Sequence, residues 1–138
     1  MAEVLPALYV VAFYAGLLGL VHLWLMAAVG MARGKQKVSI GDGGDPFMIR
    51  IMRGQANFCE NVPITLVFLL IMALLGTPAW VLHLFGITLL AARLIHGWHF
   101  TRPDAPGWQR AAGAGLTVLL QFAIVAGLIV HGLNGMMG

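Results

Sequence analysis

Four long apolar segments, separated by short polar or turn-forming stretches, limit what this sequence can fold into. They cover about residues 5–31, 46–75, 79–100 and 108–133. At about 1.5 Å per residue, such helices cross the roughly 30 Å hydrocarbon layer of a membrane. Hydrophobic residues make up 60% of the 138 and charged residues only 9%, whereas soluble domains carry about 25% charged residues. The sequence therefore predicts an all-α protein: a single domain, residues 1–138, forming an integral membrane four-helix bundle in a lipid bilayer.

Turn-forming residues mark the ends of these segments. A stretch rich in glycine and aspartate precedes the second segment, and its last two residues, Asp45 and Pro46, are typical of a helix N-cap followed by proline. Pro63 lies within the second segment and is predicted to kink it. Gly76, Thr77 and Pro78 predict a short turn before the third segment.

The basic residues are distributed on one side of the predicted bundle. All eight lie near the first or the third connection: Arg33, Lys35, Lys37, Arg50, Arg53, Arg93, Arg102 and Arg110. By the positive-inside rule this end is cytoplasmic and both termini are non-cytoplasmic. No Lys or Arg precedes the first segment, so it is predicted to be a retained span rather than a cleaved signal. The compact form favours a bacterial inner membrane, with an endoplasmic reticulum membrane as the alternative.

Several classes of function are disfavoured by composition and spacing. The basic residues flank apolar spans instead of forming a solvated run, so no nucleic-acid partner is expected. The Cys and His residues lack metal-site spacing, so no metal is expected. The single cysteine, Cys59, excludes an intrachain disulfide and is interpreted as a packing residue. Four histidines are interpreted as packed or interfacial: His22, His83, His99 and His131.

Polar residues in the second segment fall on one helix face. Arg50, Arg53, Asn57 and Glu60 are spaced by 3, 4 and 3 residues, which aligns them on a helix. Asn61 lies on the same side, four residues after Asn57. Charged groups in a membrane span normally face a bundle interior or a wet cavity.

The third segment carries a second stripe near its end, formed by Arg93, His96, Gly97 and Phe100. Arg93 is the expected partner of Glu60, and a purely structural ion pair between these two helices is one interpretation. Arginines nevertheless outnumber the single acid within the spans, and a packed core does not keep unpaired arginines. An anionic ligand at this end would balance them, because arginine donors suit carboxylates. Amide groups, including that of Gln55, would suit a peptide-like backbone.

The second-segment motif resembles a known family. The run from Arg50 to Pro63, RIMRGQANFCENVP, contains Arg, three residues, Asn, two residues, Glu, two residues and Pro. This pattern is similar to the second-helix signature of the MAPEG family, the membrane-associated proteins of eicosanoid and glutathione metabolism. The run from Arg93 to His96 resembles the family's third-helix motif. Length and four-span layout agree too, so the resemblance covers essentially the whole chain.

The resemblance implies a homotrimer that holds glutathione between neighbouring protomers at the cytoplasmic side. It implies that nine residues bind glutathione: Arg50, Arg53, Gln55, Asn57, Glu60, Asn61, Arg93, His96 and Phe100. It also points to Arg110 as the arginine that activates the thiol, with Arg33 as a second candidate. Asn61 and Phe100 stand where glutathione-using members often carry Tyr, and Phe100 has no hydroxyl group to donate.

The chemistry implied by this resemblance needs arginine near sulfur. A free thiol with a pKa of about 8.5 is mostly protonated at neutral pH, and a nearby arginine favours the nucleophilic thiolate. The leading hypothesis is a glutathione-dependent transferase or peroxidase acting on lipophilic electrophiles or lipid hydroperoxides. The alternative is a non-catalytic protein whose basic cluster binds an anionic lipid or a small metabolite. A channel or transporter is disfavoured because the charged residues stop halfway along the spans.

Overall fold

The computed structural model describes residues 4–138 and contains four helices in this range. They are α1 (Val4–Gln36), α2 (Pro46–Leu74), α3 (Ala79–Phe100) and α4 (Gly107–Met137). Each is long and apolar enough to cross a membrane, which confirms the predicted all-α, four-helix class. Helix α1 continues past the predicted end of the first segment, so its last turn carries basic residues.

Local sequence explains where α2 begins and ends. The side chain of Asp45 accepts a hydrogen bond from the backbone N–H of Met48 at 2.8 Å, and Pro46 is the first helical residue. The predicted N-cap is therefore confirmed. Pro63 lies inside the continuous helix. After the helix, Gly76 adopts a φ of +82°, a left-handed conformation that glycine takes without steric cost.

Helices α2 and α3 form the centre of the bundle. Helix α1 packs against α2 and α3, whereas α4 packs against α3 and, less extensively, α2. Their interface is filled by buried apolar side chains, including Leu18, Leu25, Leu69, Leu82 and Leu89. Large apolar side chains also cover much of the outer surface, as expected for a protein surrounded by lipid rather than water.

Short connections make consecutive helices antiparallel, so the polar end of each helix meets the others at one end of the bundle. This end is formed by the ends of α1 and α3 and the beginnings of α2 and α4. We call it the basic end because every Lys and Arg of the chain lies at or near it. The fold thereby brings the two polar stripes and the beginning of α4 together.

Candidate functional site

A cavity of about 290 Å³ opens at the basic end, where α2, α3 and α4 meet. We call it the arginine cavity. Seven residues line it: Arg50, Arg53, Asn57, His96, Phe100, Arg110 and Ala114. Six of these were predicted as site residues from the sequence, and the structure brings them together. Three arginines and no acid line the cavity, so it is suited to an anion.

Arg50 is fixed in this cavity by the end of α3. Its Nη2 donates to the backbone carbonyl of His99 at 2.8 Å and lies 2.8 Å from Nε2 of the same residue. The His99 Nδ1–H group can donate to the Pro106 carbonyl, 3.1 Å away, which leaves Nε2 as the acceptor from Arg50. The guanidinium also lies 5.6 Å from the centre of the Phe100 ring. Arg50 is therefore held in one orientation before any ligand binds.

Arg93 lies behind the cavity wall and is almost completely buried, with 1% of its surface exposed. Its Nη1 donates to Asn57 Oδ1 at 2.8 Å, and its Nη2 donates to the Gly113 carbonyl at 2.7 Å. These bonds join α3 to both α2 and α4. They also occupy Asn57 Oδ1, which leaves the Nδ2 group of this cavity-lining residue as a donor for a ligand.

The expected ion pair between Arg93 and Glu60 is wrong. Glu60 instead pairs with Arg53, with 3.8 Å between Oε1 and Nη1. Glu60 lies on the outer face of α2, while Arg93 points inward and finds neutral oxygen acceptors on two helices. The two paired side chains are 64% and 56% exposed, so their attraction is weak by itself.

Glycine permits the close helix contacts that shape the cavity. A Cβ atom at Gly54 would overlap the side chain of Phe100. A Cβ atom at Gly113 would lie 2.6 Å from the His96 Cβ and 2.7 Å from the Ala92 carbonyl oxygen. Without side chains at these positions, α3 approaches α2 and α4 closely, which places Phe100 and His96 in the cavity wall.

Besides Arg93, four predicted site residues do not line the arginine cavity: Arg33, Gln55, Glu60 and Asn61. Arg33 donates to the carbonyls of Val38 and Gly41, at 3.4 and 2.9 Å, and so holds the first connection. Asn61 donates through Nδ2 to the backbone carbonyl of Asn57 at 2.9 Å. Of these four, Glu60 contacts a cavity-lining residue, Arg53. A role for Arg33 or Gln55 would need a ligand that extends beyond the cavity, or a second protomer.

Two polar contacts were not predicted from the sequence, one at the site and one deeper in the bundle. His99 was interpreted as a packed histidine, yet it orients Arg50; its place three residues after His96 put it near the same helix face. Deeper in the bundle, Gln121 of α4 donates to Thr65 Oγ1 at 2.9 Å. A single amide within the long apolar stretch that follows Arg110 was the only signal for this contact.

Within residues 4–138, no group of three His, Cys, Asp or Glu side chains is placed to hold a metal ion. Cys59 is exposed, and its Sγ lies 4.0 Å from Nδ1 of His22. It does not line the arginine cavity. The cavity therefore offers cationic and amide donors, and any nucleophilic sulfur in it would have to come from a ligand.

The fold and the cavity define a class: a polytopic four-helix membrane protein with an arginine-lined cavity at one end. Within that class, the chain belongs to the MAPEG family, whose family model matches residues 11–130. It is 32% identical over 117 residues to "Inner membrane protein YecN" of Escherichia coli K12, and equally to the protein of that name in E. coli O6:H1 strain CFT073. These matches cover 85% of this chain and 88% of each relative.

Proposed function

We propose that this protein is a membrane-embedded, glutathione-dependent transferase or peroxidase that acts on lipophilic electrophiles or lipid hydroperoxides. Membership of a glutathione-related family supports this proposal. The observation that carries it is the arginine cavity, in which three arginines and an oriented Asn57 face a space without an acidic lining residue. Such a space attracts a small molecule with several carboxylates.

Glutathione matches the donors and acceptors of this site. It carries two carboxylates, one ammonium group, two amides and a thiol. Arg50 and Arg53 offer fork-shaped donors for the carboxylates, and the free Nδ2 group of Asn57 can donate to an amide oxygen. Glu60, exposed beside Arg53, can accept from the ammonium group. The thiol would then lie toward the remaining arginine, Arg110, at the beginning of α4.

The chemistry would come from the position of the thiol. Arg110 is exposed and lines the cavity, so its guanidinium can stabilise the thiolate without first losing an internal partner. Phe100 and Ala114 supply apolar wall in the same cavity. A lipophilic substrate entering from the bilayer could meet the thiolate there, and the protein would contribute proximity and charge stabilisation.

Assembly into a homotrimer is part of this proposal. In one protomer, the side chains of Arg53 and Glu60 are 64% and 56% exposed on a helix that is otherwise apolar toward its end. Charged groups that face lipid are costly, so a neighbouring protomer is expected to cover them. The family resemblance implies that the assembly has three protomers. A neighbour would also allow Arg33 and Gln55, which lie off the cavity, to contribute to a shared site.

A test of the ligand is the affinity for glutathione of an Arg53→Ala variant. Losing one charge-assisted hydrogen bond costs about 1.5–3 kcal/mol, so affinity should fall by about ten- to hundredfold. Isothermal titration calorimetry of the detergent-solubilised protein measures this directly. Lys37→Gln is the matched control, because it removes an exposed charge at the same end without touching the cavity.

Wild-type affinity in folded Arg53→Ala protein would place the ligand elsewhere. Asn57→Ala should weaken binding as well, but it also removes an acceptor of the buried Arg93, so its folding must be checked first. If millimolar glutathione neither binds nor raises the melting temperature of the wild type, the alternative gains support. The basic cluster would then bind an anionic lipid or metabolite without catalysis.

The assembly prediction is tested by native mass spectrometry after gentle removal of detergent. The wild-type protein should give a mass of three chains. An Arg53→Ala/Glu60→Ala double variant removes both exposed charges, so it shows whether the trimer needs them or merely covers them. A stable monomer of the wild type would contradict the proposed assembly.

The proposed location is the bacterial inner membrane, supported by the E. coli relatives that are named as inner membrane proteins. All Lys and Arg lie at the basic end, so both termini should be non-cytoplasmic. A reporter that is active only in the cytoplasm should therefore be silent when fused to Gly138. The same reporter inserted between Gly43 and Gly44, in the first connection, should be active, and the reverse pattern would overturn the orientation.

A further inference from the structure

A second concave surface lies on the opposite side of the basic end, between α1, the beginning of α2 and the end of α3. Its volume is about 340 Å³, and it shares no lining residue with the arginine cavity. We call it the tryptophan groove, because the side chains of Trp24 and Trp98 line it. Lys35 and Arg102 are its two charged lining residues. The proposed glutathione chemistry makes no use of this groove.

Both cations in the groove are available to a ligand. Lys35 and Arg102 are exposed, and within residues 4–138 neither has an acidic partner within 4.0 Å. The guanidinium of Arg102 stacks on the ring of Trp98, 3.8 Å from its centre. Stacking holds the plane of the guanidinium while its N–H groups at the edge remain free to donate. The groove therefore presents two cations without an acidic partner, one of which, Arg102, is oriented by stacking.

Below the cations, the groove is apolar and extends along α1 toward the middle of the bundle. Trp24 lies eleven residues before Lys35 on the same helix, so the two levels differ by roughly 16 Å. Ala28 and Ala32 lie between them and leave room for a ligand. Trp24 rests against α3 at Gly97, where a Cβ atom would lie 2.8 Å from its Cζ3. Gly97 is only five residues before Arg102, so the apolar part of the groove is longer on the side of Lys35 than on the side of Arg102. An occupant would thus have a charged part and an apolar part that follows α1.

We infer that the tryptophan groove binds an anionic phospholipid. Its phosphodiester would lie between Lys35 and Arg102, and one acyl chain would follow the alanines down to Trp24. The charge complementarity identifies the headgroup, because the two cations need an anion and no lining residue is acidic. The apolar length of the groove identifies a lipid, since a soluble phosphate would leave that surface empty.

The experiment uses the full-length protein in detergent and phosphatidylglycerol with brominated acyl chains, which quench nearby tryptophans. Phosphatidylcholine brominated in the same way is the neutral-headgroup comparison. We expect phosphatidylglycerol to bind at least tenfold more tightly than phosphatidylcholine, as measured by the lipid concentration that gives half-maximal quenching. Lys35→Gln and Arg102→Gln should each weaken its binding by about five- to tenfold. The matched control Lys37→Gln, with the same loss of charge outside the groove, should change binding less than twofold.

Several results would overturn the inference. Equal affinity for the two lipids would remove the role of the cations, and equal weakening by all three variants would indicate unspecific attraction. Competition by soluble glycerol phosphate at the same concentration as the lipid would point to a free anion. A change of subunit number in Lys35→Gln would make the groove a contact between protomers. Glutathione affinity should be unchanged in Lys35→Gln, so this inference and the proposed function can fail independently.

Discussion

Replacing the buried Arg93 with alanine is expected to lower the free energy of unfolding by about 2–4 kcal/mol. The substitution opens a cavity and leaves Asn57 Oδ1 without its donor. The Gly113 carbonyl keeps a second partner, the Thr117 hydroxyl at 2.8 Å, so its loss is smaller. Removing a buried cation also removes the cost of burying it, which offsets part of the lost stability. The expected loss is therefore smaller than that of the most destabilising core substitutions.

Reversible unfolding of the protein in mixed micelles, followed by circular dichroism, measures this loss. Arg53→Ala is the matched control, since it removes the same side chain at the same end of the bundle. Within one protomer its guanidinium is exposed and its pair with Glu60 is long, so its cost to the unfolding of the protomer should stay below about 1 kcal/mol. Similar destabilisation by both variants would contradict a special structural role for Arg93.

A third variant, Glu60→Ala, tests the change of ion-pair partner that the structure shows. From the sequence, Glu60 was the expected partner of Arg93, a pairing in which the loss of Glu60 would leave that cation unpaired. In the structure Glu60 contacts Arg53 on the outer face of α2. Glu60→Ala should therefore leave the stability of one protomer nearly unchanged, and any effect should appear in assembly or ligand binding.

Features encoded over short distances in the sequence were predictable. The four helices follow from continuous apolar segments, and the beginning of α2 follows from Asp45 and Pro46, whose cap geometry the structure shows. Spacings of three and four residues placed Arg50, Arg53 and Asn57 on one face of a helix. The structure indeed brings these three to one cavity, because a helix face depends only on local periodicity.

Features that depend on helix rotation and close contact were not predictable. The partners of Arg93 are an amide on α2 and a carbonyl on α4, and the second is reached at a position where Gly113 lets the helices approach. Spacing within α3 contains no information about that contact. The pairing of His99 with Arg50 depends likewise on how the end of α3 meets α2. The roles of Arg33 and Gln55 stay predictions, because they concern a neighbouring protomer.

The second large effect concerns turnover. Under the proposed function, Arg110→Ala should lower the rate of conjugation of a model electrophile by about 10²–10³, the usual loss when one donor to a developing anion is removed. Glutathione affinity should change little, because Arg50 and Arg53 retain the carboxylate contacts. The conjugation rate of Arg110→Lys should lie between those of the wild type and Arg110→Ala, since lysine keeps the charge but loses the planar fork of donors.

Turnover and binding must be measured separately to assign this role. Calorimetry gives glutathione affinity, single-turnover kinetics give the rate of the chemical step, and ultraviolet absorbance reports the bound thiolate. Loss of thiolate and rate at constant affinity supports thiol activation by Arg110. A parallel loss of affinity and rate would instead place Arg110 on a carboxylate. An unchanged rate would direct attention to Arg33, which lies off the cavity in its own protomer and would have to reach the sulfur from a neighbour.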